Sequence, residues 1–315
     1  MHDLVGLDSW ALWLSPPVLG VLGLLVGSFL NVVIYRYPLI EERSWWGEMA
    51  EHLDDAPTWQ RVLGIARPPA YDKAGIDIDA ALGKLAPLSI SRPRSRCGSC
   101  GHQIRWYENL PIVSWLALRG RCSACKAPIS VRYPIIELAT GALFLGAALQ
   151  FGPHPQTLAW CAMLAALVAL AMIDQDTGYL PDVMTQPLLW GGLIVATLGW
   201  TIPWESALWG AVAGYMALWL LSNGYRLARG VAGMGNGDFK LLAAFGAWLG
   251  WHALLPIVLM ASIVGVAINL PLMLVGKQDA ARRIPFGPFL IGGGLVVIFV
   301  GVDHLLDLVG ISLPG

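Results

Sequence analysis

The chain has 315 residues, 56% of them hydrophobic and only 13% charged, and its 20 basic and 21 acidic side chains leave a formal charge of −1. An average soluble domain is about one-quarter charged, so the composition excludes a disordered chain and argues against an ordinary soluble enzyme. It suits a polytopic membrane protein solvated mostly by lipid, and near-neutral charge gives no global field for a nucleic-acid partner.

The first ten residues, MHDLVGLDSW, carry no Lys or Arg. They lack the basic region of a cleavable secretory signal, so the first apolar segment is expected to stay as a membrane anchor. A span needs about 20 apolar residues, and eight segments qualify as transmembrane helices. They lie near 16–36, 134–151, 156–173, 184–201, 206–224, 239–251, 253–275 and 286–303, the sixth being short enough to suggest a partial or tilted helix.

Charge asymmetry gives the orientation, because cytoplasmic loops collect Lys and Arg. With the amino terminus outside, inside segments begin near 37, 174, 225 and 276. Every basic residue then falls on the cytoplasmic side or at its boundary, from Arg36 through Arg132 to Arg226, Arg229, Lys240, Lys277, Arg282 and Arg283. The outside segments FGPHPQ, TIPWES and DHLLDLVGISLPG hold none.

The expected division is therefore a first transmembrane helix over 1–37 with a periplasmic amino terminus, a cytoplasmic domain over 38–133 inserted between helices 1 and 2, and seven membrane helices over 134–315. The fold class is all-α. The inserted region holds fourteen of the twenty basic residues when Arg36 is included. Its first half is mixed in charge and rich in Trp, with Trp45 and Trp46 reading best as interfacial anchors. No internal repeat stands out. Asn31 and Arg36 suit hydrogen bonds to neighbouring helices or loops.

Four of the five cysteines form Cys97-Gly-Ser-Cys100 and Cys122-Ser-Ala-Cys125, separated by 21 residues. Two such turns can present four thiolates tetrahedrally to zinc, and a reducing cytoplasm disfavours the disulfide alternative. With four thiolate ligands there is no open position for water, so the metal is structural. The module spans about 95–133. Cys161, inside the third span, reads as a small apolar residue. Glu108, Arg119 and Glu137 each fit ligand contact or a structural ion pair.

Charged groups in or beside spans are costly and mark functional sites by default. Asp174 closes the third span in AMIDQDTGYLPD, with Asp176 and Asp182 after it, and Asp238 opens the sixth in GMGNGDFK. The topology puts Asp174 and Asp238 on one face of the membrane at similar depth. Two adjacent carboxylates do not both ionise cheaply, so one keeps a proton while the other serves as base toward water. That is the requirement of aspartic proteolysis, yet from the residues alone ion coupling in a transporter fits Asp174 and Asp238 equally. Asp238 also suits a helix N-cap, as does Asp182, while Asp176 reads as a solvated loop residue. Lys240 either tunes the pair or reaches the cytoplasmic interface.

Several blocks together resemble the bacterial type IV prepilin peptidases, membrane aspartic proteases of the GxGD class that also N-methylate their products. They are GSFLNVVIYRYP from Gly27, SRCGSCGHQIRWYENLPIVSWLALRGRCSACKAPISVRYPIIEL from Ser95, IDQDTGYLPDVMTQPLL from Ile173, MGNGDFKLL from Met234 and RIPFGPFL from Arg283. Pro285 and Pro288 in the last block suggest an irregular entry to the eighth span.

The resemblance implies catalysis by Asp174 and Asp238, with type IV prepilins and the pseudopilins of type II secretion as substrates. Their short basic leader is removed after a Gly at the cytoplasmic face of the bacterial inner membrane. A methyl group from S-adenosylmethionine then goes to the new amino terminus. Glu41, Glu42 or Glu108 are expected to hold the basic leader. No strand followed by GxGxxG offers a dinucleotide-type cofactor site, so the methyl-donor site is sought near Glu108, Arg119, Gly120 and Arg121. The competing readings are an ion-coupled transporter and a peptidase without methylation; the intact cysteine pairs speak against the second.

Overall fold

The computed structural model describes residues 11–71, 73–230, 234–274 and 284–308, with only the backbone of Leu306 and Leu308. The first ten residues, Gly233, Lys277, Arg282 and Arg283, which carried parts of the topology and motif readings, lie outside the described residues. Among the described residues the chain is helical with no strand, apart from two isolated β-bridges. It separates into two compact units, one of residues up to 30 with those from 131 onward, the other of 31–130.

In chain order, the helices are α1 (Pro16–Asp54), α2 (Ala74–Gly83), α3 (Val113–Ala117), α4 (Arg132–Phe151), α5 (Pro155–Thr177), α6 (Asp182–Thr197), α7 (Trp204–Arg229), α8 (Asn236–Leu249), α9 (Leu254–Leu274), α10 (Gly287–Val300) and α11 (Val302–Leu308), joined by shorter turns. Among the described residues four are long and apolar enough to cross a membrane: α1, α4, α5, and α9 with the turn at Trp251–Ala253 before it. The other apolar segments also form helices, α6, α7, α8 and α10.

The α8 segment is short for a physical reason. Fourteen residues rise only about 21 Å, and almost every side chain from Asp238 to Trp248 is buried by protein. Small residues let its neighbours approach backbone to backbone, as in membrane helix pairs generally. A side chain on Gly246 of α8 would collide with the Gly210 carbonyl of α7, and one on Gly214 would come within 2.6 Å of the Leu242 carbonyl. Trp248 lies over Gly192 of α6 and donates its indole N–H to the Leu188 carbonyl at 2.8 Å. Phe245 fills the space beside Gly294 of α10.

A second glycine contact joins α1 to α4. A Cβ on Gly23 would sit 2.7 Å from the Thr140 carbonyl, and one on Gly27 2.7 Å from Glu137 Cα. Glu137 is accordingly buried in this contact.

The helix that carries the first apolar stretch runs on beyond it: α1 continues through Pro38 to Asp54. Its 39 residues extend about 58 Å, well beyond a hydrocarbon core of about 30 Å. Side chains that follow the apolar stretch hold the irregular segment 86–90. Arg36 donates to the Ser89 and Ile90 carbonyls at 3.0 and 3.3 Å, and Arg43 to the Ala86 carbonyl at 3.0 Å. Farther along, Gly75 of α2 packs against the Ala50 carbonyl. Arg36 thus has the hydrogen-bonding role expected of it.

Candidate active site

Asp174 lies three residues before the end of α5, whose C-terminus is closed by Gly178 in the left-handed conformation (φ 67°) with its N–H on the Asp174 carbonyl at 2.8 Å. The Asp174 side chain is 4% exposed. Its Oδ2 accepts a hydrogen bond from the Gly287 backbone N–H at 3.0 Å. Gly287 is the first residue of α10, so this carboxylate sits where a helix presents unpaired N–H groups and the positive end of its dipole. Residues 284–286 are not helical and Pro288 occupies the first turn, as the irregular entry requires.

Asp238 is 8% exposed. It is not the N-cap; Gly235 takes that position and Asp238 is the third helical residue. Its carboxylate turns back over Gly235, with Oδ2 3.8 Å from where a Cβ on that glycine would stand. The Asp174 carboxylate, from the last turn of α5, is therefore buried against the first turn of α10, and Asp238 is buried in the first turn of α8.

Leu180 packs against Gly287, which holds Asp174, and against Gly237, which precedes Asp238. A Cβ on Gly287 would lie 2.6 Å from Asp174 Oδ2 and 3.3 Å from Leu180 Cδ1, and one on Gly237 would lie 2.7 Å from Leu180 Cβ. Only glycine at 237 and 287 lets α8, α10 and the segment after α5 meet this closely. Gly287 and Leu180 were not singled out from the sequence; the signal was the RIPFGPFL block and the LPD step after α5.

The flanking acids differ from expectation. Asp182 is the first residue of α6 after an N-cap at Pro181 and makes no cap bond. Instead both its oxygens accept from Lys240 Nζ at 2.6 Å. Asp176 is not a free loop acid, since Arg132 grips it through two nitrogens at 2.7 and 2.9 Å. The chain between Asp174 and α6 is thus tied to α4 on one side and α8 on the other.

The cysteine module is built on a short repeat that the sequence reading missed: RCGSCGHQ at 96–103 and RCSACKAP at 121–128. Each half is closed by a bridge, Arg96 with Gln103 and Arg121 with Pro128. In each, the residue after the second cysteine is left-handed, Gly101 at φ 72° and Lys126 at φ 62°. All four sulfurs lie within 4.8 Å of one another. A tetrahedron with metal–sulfur bonds of about 2.3 Å has edges of about 3.8 Å, and Cys97 Sγ and Cys125 Sγ are 3.8 Å apart. The Ser99 and Cys100 backbone N–H groups favour the Cys97 thiolate, while the neighbouring sulfurs push the Cys100 thiol up, as four thiols crowded together without a cation do. Cys97, Cys100, Cys122 and Cys125 can therefore hold a metal ion.

Of the residues expected to meet a cofactor, Glu108 lines a hollow of about 600 Å³ with His102 and Ser123, and Arg119, Gly120 and Arg121 are not among its lining residues. The Arg105 backbone N–H, with the Ser123 hydroxyl, holds Glu108 down to about 2. Arg119 and Gly120 form a left-handed turn (φ 52° and 65°) under the Trp115 ring.

Two family models match the chain: the bacterial peptidase A24 N-terminal domain over residues 21–151 and the type IV leader peptidase family over 161–270. A prepilin leader peptidase/N-methyltransferase of Burkholderia pseudomallei (strain K96243) is 44% identical over 290 residues, covering 92% of this chain and 87% of the relative. Proteins of the same description from Stutzerimonas stutzeri and Neisseria gonorrhoeae are 45% and 44% identical, covering 89% and 94% of this chain and 89% and 93% of their own lengths. This chain belongs to the type IV leader peptidase family. No solved structure matches it. Within the family match, the second model contains both Asp174 and Asp238, and the first contains all four cysteines.

Proposed function

We propose that this family member is a bifunctional prepilin-processing enzyme whose peptidase uses Asp174 and Asp238. The observation that carries the reading is the pair of buried carboxylates, from α5 and α8, brought together beside Gly287 and Leu180. One carboxyl keeps its proton and polarises the scissile carbonyl; the other takes a proton from water, which attacks the carbonyl carbon. Collapse of the tetrahedral intermediate gives the leader a carboxylate and the mature chain a free amine, which leaves with a proton from the pair. The Gly287 N–H holds Asp174 in place throughout.

The substrates are type IV prepilins and type II secretion pseudopilins, cut after the Gly that precedes their apolar helix. In this reading α1 and α4 to α10 all span the inner membrane, the amino terminus is periplasmic, and the carboxylates face the cytoplasm. A substrate helix in the bilayer then presents its scissile bond at their depth. Residues 38–133 form the cytoplasmic domain and 134–315 the membrane peptidase. The four cysteines bind structural Zn²⁺, which fits the sulfur spacing. S-adenosylmethionine supplies the methyl group that replaces a hydrogen on the new amino terminus.

An ion-coupled transporter using the same aspartates is not favoured by the family. The test is incubation of purified protein with a prepilin, following product mass. Loss of the leader, and a further gain of one methyl group only when S-adenosylmethionine is present, supports both activities. A wild-type protein that cleaves none of several prepilins overturns the reading.

A further inference from the structure

The hollow beside the second knuckle combines features that do not serve metal binding. Its lining includes His102, Arg105, Tyr107, Glu108, Ser114 and Ser123, over a floor of Ala117 and Leu118. Glu108 is fixed in this wall: its Oε2 accepts the Arg105 backbone N–H at 2.9 Å and faces His102 Nε2 at 3.3 Å, and the carboxylate is only 9% exposed. Ser123 Oγ is 3.3 Å from the same His102 nitrogen. A carboxylate held by its own backbone and a histidine, at the edge of an open hollow, is a preformed anchor for a cationic group.

The opposite charge is beside it. Arg105 stands at the rim, with Nη1 donating to the Tyr107 hydroxyl at 2.5 Å and its guanidinium 5.9 Å from the Tyr107 ring centre. His102, Arg105 and Tyr107 also line an adjoining hollow of about 730 Å³, which adds Trp106. The Trp106 and Tyr107 rings meet edge to face at 5.8 Å, and Trp106 is 79% exposed. An anionic anchor, a cationic anchor and aromatic faces thus follow one another along a surface of ligand size.

We propose that these joined hollows bind S-adenosylmethionine, with Glu108 taking its ammonium, Arg105 its carboxylate, and Tyr107 with Trp106 its adenine. The assignment rests on the methyltransferase half of the proposed function. It takes one residue of the sequence-derived set, Glu108, and replaces Arg119, Gly120 and Arg121 by side chains that line the space. The donor set fits the cofactor: a zwitterionic amino-acid head needs one group of each sign, and a purine needs a flat apolar face. The apolar floor of Ala117 and Leu118 leaves room that a larger side chain would fill.

The test is equilibrium binding of radiolabelled S-adenosylmethionine to the full-length zinc-loaded protein in detergent. Glu108→Gln and Arg105→Gln are each expected to weaken binding at least tenfold, and Ala117→Trp to abolish it. Zinc content should stay at wild-type levels in all three and prepilin cleavage in Arg105→Gln and Ala117→Trp, and Lys84→Gln, exposed just after α2, should bind normally. Wild-type affinity in Glu108→Gln and Ala117→Trp overturns the site while leaving the methyltransferase reading intact, provided the wild type methylates. A wild type that neither binds the cofactor nor methylates overturns both.

Discussion

The cysteine module and the aspartate pair are encoded in opposite ways. The four sulfurs come from two copies of one eight-residue turn, each closing its own bridge and hydrogen bonds within a few residues. The carboxylates come from different helices, and the group that holds Asp174 is Gly287, 113 positions away. A local device survives almost any rearrangement of its surroundings; a long-range one depends on every helix that frames it. The module therefore tolerates polar exposure, whereas the pair needs glycine at the contacts between α7, α8 and α10.

Separate loss of the two functions is the strongest way to break this contrast. Asp174→Asn and Asp238→Asn should each lower prepilin cleavage by at least ~10²-fold, the lower end of what positioned acid–base groups contribute. Product mass reads the loss, and zinc content should remain that of wild type. Conversely, Cys97→Ser together with Cys122→Ser should remove the metal and N-methylation, measured by elemental analysis and product mass. Normal zinc and methylation in that variant would falsify the module assignment.

Smaller changes sharpen the long-range side. Gly287→Ala places a methyl group 2.6 Å from Asp174 Oδ2, and a displacement of about 1 Å at a catalytic group costs on the order of 10²-fold. Cleavage should therefore drop by about that factor, with thermal unfolding in detergent little changed. Gly246→Val should act the other way round. Its side chain meets the Gly210 carbonyl, so overpacking of about 1–3 kcal/mol should lower the unfolding temperature and reduce activity only in proportion to folded protein.

The mildest expectation concerns the Lys240–Asp182 pair, which ties the start of α8 to the start of α6. Lys240→Asp or Asp182→Lys alone should reduce the cleavage rate several-fold, and the double exchange should recover most of it. The pair is partly exposed, so its direct contribution to stability is about 1 kcal/mol or less; the effect expected is on the position of Asp238. A double variant no better than either single one would show that the pairing does not position the site.

Much of this was legible from the residues. Helix-forming apolar segments, the tetra-cysteine spacing and the two aspartates each carry a local pattern. The repeat within the cysteine module was also readable, because RC, two residues and C recur with equal bridge spacing, but it is masked by a Gly in one copy and a Lys in the other at the left-handed position. The ion pairs of Asp176 and Asp182 had no such signal, since their partners Arg132 and Lys240 are 44 and 58 positions away. For the same reason Asp182 looked like a cap: a carboxylate before an apolar helix is the usual sign of one, and only its distant lysine tells otherwise.

What the sequence by itself determined is chemistry of short range: which segments prefer lipid, which four thiols can share one ion, and which carboxylates lie at helix ends. The tertiary structure decided how α1 continues past the apolar stretch, which helix ends meet, and which glycines allow it. Those outcomes depend on steric contacts between residues far apart in the chain, where a missing Cβ matters only once the opposing backbone is in place.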